Sequence, residues 1–99
     1  MKENKVDLIF QKLEESINHD DKDKIIEFCN KLVCYRHTNY LNTRTLCYIY
    51  FTLALSHLRL EHFLLSYRAI ISGLELCTTD VEQERGRQIL EIVKQHIAQ

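Results

Sequence analysis

The chain contains no proline and only two glycines, Gly73 and Gly86. These two residues punctuate turns, so few sharp turns and long regular elements are expected. So little glycine also cannot build a phosphate-cradling loop, which needs backbone that approaches the anion closely. An excess of charge of one sign is missing too: 13 Lys and Arg stand against 14 Asp and Glu, a formal net charge of −1. Without a bulk positive field, nucleic acid is not an expected partner. The opening MKENKVDLIF is charged at once and has no apolar signal core, which argues against export. No apolar run reaches the roughly 18–20 residues of a membrane span. Four cysteines in such a chain are expected to be reduced thiols, in the cytoplasm or the nucleus.

What is present is ordinary for a folded protein: 99 residues, 45% apolar and 27% charged. That length supports one domain with one core. Lys, Leu, Glu and Ile are abundant and Val is scarce, so the expected class is all-α. Helical spacing of apolar residues marks five stretches. The first runs from about Glu3 to Asn18 (Val6, Ile9, Phe10, Leu13, Ile17) and the second from about Asp21 to Tyr35 (Ile25, Ile26, Cys29, Leu32, Val33). RHTNYLN is the clearest loop, with Asn42 or Thr43 expected to cap the third helix, Thr43 to Arg59. Asp20 or Asp21 plays that part for the second. The fourth covers about Phe63 to Leu76 (Phe63, Tyr67, Ile70, Ile71, Leu74). Thr79 and Glu82 have capping-box spacing and open a fifth helix that runs to the C-terminus. Short connections imply antiparallel neighbours.

Within the third helix, CYIYFTLAL (residues 47–55) is apolar nearly all round. That is too much hydrophobic surface for a helix with one buried face. The third and fourth helices together offer a reason, because YIYFTLALSHLRLEHFLLSYRAIISGLEL resembles a tetratricopeptide repeat. Tyr50 and Leu53 occupy the large positions of the first helix, and Ala54, Ser66 and Gly73 the small ones that let two helices approach. Leu60 and Phe63 flank the turn. Glu61 stands where the family usually has Gly, His57 where it has a large aromatic, and Thr78 where it has Pro. The first two helices resemble a weaker copy, with Leu13, Ile25, Cys29 and Leu32 in comparable places. That copy is offset by about 41 residues against the family's roughly 34.

The resemblance implies two hairpins, about 3–36 and about 43–77, and a capping helix, about 80–98, covering the end of the stack. Tyr48, Phe51, Thr52, Leu55 and Arg59 would then line a concave groove, an apolar floor suited to an amphipathic helix or extended peptide. Tyr48 and Phe51 would act as aromatic anchors. A charged clamp for a C-terminal carboxylate, known in the same family, is not expected, because Asp7, Phe10, Glu14, Tyr48, Phe51 and Leu55 occupy the inner positions. Arg36 and Arg44, near the long loop, are candidates for meeting an acidic flank on the partner. Two alternatives stay open. In one the fifth helix or the N-terminal one folds across this face and leaves it as core; in the other the face is buried in a symmetric homodimer. A plain antiparallel bundle is the alternative architecture.

Signals for chemistry are weak. Cys29, Cys34 and His37 form C-x4-C-x2-H, but no C-x2-C knuckle or second ligand pair accompanies them, so no metal is expected. His57 and His62 straddle Glu61 with no nucleophile at fixed spacing, and a half-buried His57 with a solvated His62 is the expected state. No catalytic motif is present. The expectation is a non-enzymatic adaptor or scaffold without a cofactor.

Overall fold

Side-chain capping sets where most of the helices begin. The computed structural model describes residues 4–98, so the expected start at Glu3 lies outside the described residues. Asn4 accepts a bond from the Val6 amide and opens α1 (Lys5–Asn18). Asp21 accepts from Lys24 N at α2 (Lys22–Val33), Asn42 from Thr45 N at α3 (Thr43–Arg59), and Thr79 from Glu82 N at α5 (Asp80–Ile97). Only α4 (Phe63–Leu76) starts without a side-chain cap. The described residues contain no strand, and the class is all-α. No helix among them is long and apolar enough to cross a membrane.

One boundary differs from expectation. The second helix ends at Val33 rather than near Tyr35, because the amides of Tyr35 and Arg36 bond three residues back, to Leu32 and Val33. The last turn tightens, and the loop from Cys34 onward follows.

The turns α1–α2 and α3–α4 are built alike. Among the described residues, Asp20 (φ 52) and Glu61 (φ 62) are the two non-glycine residues in the left-handed region. Around the first, Asp20 N bonds Ile17 O and Asp21 N bonds Ser16 O. Around the second, Glu61 N bonds Leu58 O and His62 N bonds His57 O. Both sets satisfy the orphan carbonyls of a helix end in the same way, and they are offset by about 41 residues.

Each helix packs chiefly on its neighbours in sequence, and α5 also reaches α3. The body is elongated, 51 × 28 × 20 Å. The core runs along it through Val6, Leu13, Ile25, Cys29, Leu32, Leu46, Ile49, Leu53, Ile70, Ile89 and Val93. At the α3–α4 contact, Ala54 and Ser66 are fully buried, and the Ser66 hydroxyl donates to Ala54 O at 2.7 Å. Small residues let the two backbones come this close.

Both glycines of the chain serve one ring. A Cβ on Gly73 would stand 2.7 Å from Phe51 Cδ1, and one on Gly86 would stand 2.8 Å from Phe51 Cζ and collide with Leu74 Cδ2. Phe51 is therefore wedged between α4 and α5, where neither helix has room for a side chain.

Candidate functional site

The third helix supplies one wall of a recess and α5 the other. The recess encloses about 260 Å³ and is lined by Arg44, Cys47, Tyr48, Phe51, Thr52 and Leu55 from α3, with Glu82 and Arg85 from α5. The lining follows from helical spacing, since residues 48, 52 and 55 share one face. Their exposures differ. Tyr48 is 54% exposed and stands at the rim. Thr52 and Leu55 are half-buried, and the Thr52 hydroxyl is already committed to Tyr48 O at 2.8 Å.

Phe51, expected as an anchor open to a partner, is only 6% exposed. Its ring closes the floor of the recess instead, held by the approach of α5 at Gly86. The expectation that a terminal helix covers part of this face describes Phe51; Tyr48 remains open.

The other named residues separate. Arg59 does not line the recess and lies 3.7 Å from Asp20 in the α1–α2 turn, a solvent-exposed pair worth little. Arg44 stands at the mouth, with its Nε 3.8 Å from Glu82 Oε1. Arg36 belongs elsewhere: it donates to Val33 O and lines a separate depression with His37, Leu46, Tyr50 and Leu76. The two arginines therefore do not act on one face.

Beneath the recess lies a cluster that sequence spacing does not announce. Cys47 Sγ of α3 is 3.2 Å from Cys77 Sγ at the end of α4. Together with a Glu82 carboxylate oxygen, all three atoms lie within 4.8 Å of one another. Thr79 makes its half of the capping box, but Glu82 Oε2 is buried without a hydrogen-bond partner, so the reciprocal bond is not made. Burial, together with the adjoining Cys77 and Glu82, pushes the Cys47 thiol up to about 12. Burial alone does the same for Cys29, also to about 12. Neither carries a thiolate at neutral pH, the form a nucleophile needs. Cys29, Cys34 and His37 do not come together as a ligand set among the described residues.

At the opposite end of α3, the buried His57 and the exposed His62 place their Nδ1 atoms 3.2 Å apart. Burial and the neighbouring His62 hold the His57 pKa below its ordinary 6.5.

No family model, curated protein or solved structure matches the chain.

Proposed function

We propose that the chain is a non-enzymatic protein-interaction module of tetratricopeptide-like build. It binds a short helical or extended partner segment in the α3–α5 recess. The observation that carries this reading is the recess itself: an apolar floor of Phe51 and Leu55, an exposed aromatic rim at Tyr48, and Arg44 and Arg85 at the mouth. An apolar anchor with acidic neighbours is the complementary segment. The family reading is supported by the matching α1–α2 and α3–α4 turns and by the buried Ala54, Ser66 and Gly73 where those helices meet. The unreactive buried thiols favour a binding role over a catalytic one.

The test is selection from a displayed random-peptide library. Selected peptides should lose at least about tenfold in affinity for Tyr48→Ala, the truncation cost of an anchoring aromatic. Arg44→Glu should weaken the acidic ones among them. Peptides that bind Tyr48→Ala and wild type equally would exclude this recess.

A second reading is homodimerisation through α5. Leu64, Tyr67, Ile92 and Ile97 are exposed apolar side chains on α4 and α5. Leu64, Tyr67 and Ile97 border one shallow depression beside Lys94 and Ala98. Light scattering that gives twice 11.8 kDa at low micromolar concentration, reverting to one chain in Leu64→Asp, would favour it.

A further inference from the structure

We propose that Cys47, Cys77 and Glu82 form a three-ligand site for a thiophilic divalent cation of the Zn²⁺ class, where α3, α4 and α5 meet. Three observations carry it. The donor set is two thiols and a carboxylate, the soft-plus-hard combination that suits zinc, and the three ligand atoms already lie within 4.8 Å of one another. Glu82 Oε2 is buried with no hydrogen-bond partner, although its position in the first turn of α5 offers the reciprocal capping bond. That orphaned oxygen is accounted for if it faces a cation. Cys47 and Glu82 also line the recess, so solvent can supply a fourth ligand.

The sulfur separation favours a metal over a disulfide. Two sulfurs on a tetrahedral zinc lie about 3.8 Å apart, given Zn–S bonds of about 2.3 Å. From 3.2 Å that requires a separation of roughly 0.6 Å, whereas a disulfide requires an approach of roughly 1.1 Å. Charge also balances. Binding expels the two thiol protons, leaving two thiolates and one carboxylate around a dication, a net charge of −1. Arg44, 3.8 Å from Glu82, offsets that charge, with Arg85 on the same recess. Because the protons must leave, affinity rises with pH. This inference is independent of the peptide-binding reading.

The experiment is a Co²⁺ titration of the full chain kept reduced, followed by absorption, with Zn²⁺ as competitor and circular dichroism as a check on folding. Wild type should bind one Co²⁺ with a sulfur-to-cobalt charge-transfer band that Zn²⁺ abolishes, and two protons should be released per metal. Cys77→Ser should lose stoichiometric binding. Glu82→Gln should weaken it by roughly tenfold or more, the cost of losing even a group that merely orients a ligand. The exposed Cys34→Ser should behave as wild type. Cys77 and Glu82 are both part-exposed, so helical content should survive in their variants. The proposal is overturned by the absence of the band in wild type or by a titration that folded Cys77→Ser and Glu82→Gln leave unchanged. Loss of binding in Cys34→Ser, or a Cys47–Cys77 disulfide that resists reductant, would overturn it equally.

Discussion

Phe51 ties the recess to the stability of the fold, because its ring fills the space that Gly73 and Gly86 leave open. Gly73→Ala removes that space. Overpacking costs about 1–3 kcal/mol, against a helix-propensity gain of about 1 kcal/mol. The expected net is a loss of about 1 kcal/mol in urea unfolding. Combining Gly73→Ala with Phe51→Leu should cost less than the sum of the two, because the smaller side chain relieves the contact. His57 gives the fold a pH dependence of defined sign. Its folded pKa lies below the ordinary 6.5, so at higher pH both folded and unfolded states hold it neutral and stability is complete. As pH falls through about 6.5 the unfolded chain takes up the proton first, and stability drops until the folded pKa is passed. Thermal unfolding between pH 7.5 and 5.5 should show this slope, and His57→Gln should flatten it.

The turns carry the information at the next scale. Glu61 sits at φ 62, a conformation costing an ordinary L-residue about 1–2 kcal/mol. Glu61→Gly should therefore hold or raise stability by up to about 1 kcal/mol, once the greater freedom of Gly in the unfolded chain is subtracted. Asp20→Gly should gain less, since Asp tolerates this region better. A lower urea midpoint for Glu61→Gly would contradict the strain assigned here. Thr79→Ala should cost about 1 kcal/mol as a lost N-cap. Most element boundaries were legible because their signals are local. Thr43–Arg59 and Phe63–Leu76 follow from apolar spacing, with the Asn42 cap marking the start of α3. The end of α2 was not, because the tightened turn after Val33 carries no glycine or proline to mark it. The Tyr48, Thr52 and Leu55 face was expected through the tetratricopeptide resemblance, and helical period puts the three on one side. Burial of Phe51 was not, since it depends on α5 arriving at Gly86 from 35 positions along the chain. The Cys47–Cys77 pair lay hidden for the same reason, being 30 positions apart with no motif spacing.

Across the whole molecule, sequential packing predicts graded stability. Among the described residues α1 packs substantially only on α2, whereas α3 is held by α2, α4 and α5. Hydrogen exchange should therefore be fastest in α1 and slowest in α3 and α4, since local opening follows the number of neighbours an element must leave. Uniform protection along all five helices would contradict that view. The α3–α5 recess lies on the side of this elongated body where Tyr48 stays exposed. The proposed function requires this recess to receive a partner segment. The most direct measurement is the change in backbone amide NMR shifts when a library-selected peptide is added to the labelled chain. Shifts should concentrate at Arg44, Tyr48, Thr52, Leu55 and Arg85. Shifts confined to Leu64, Tyr67 and Ile97, or scattered with no focus on α3, would contradict it.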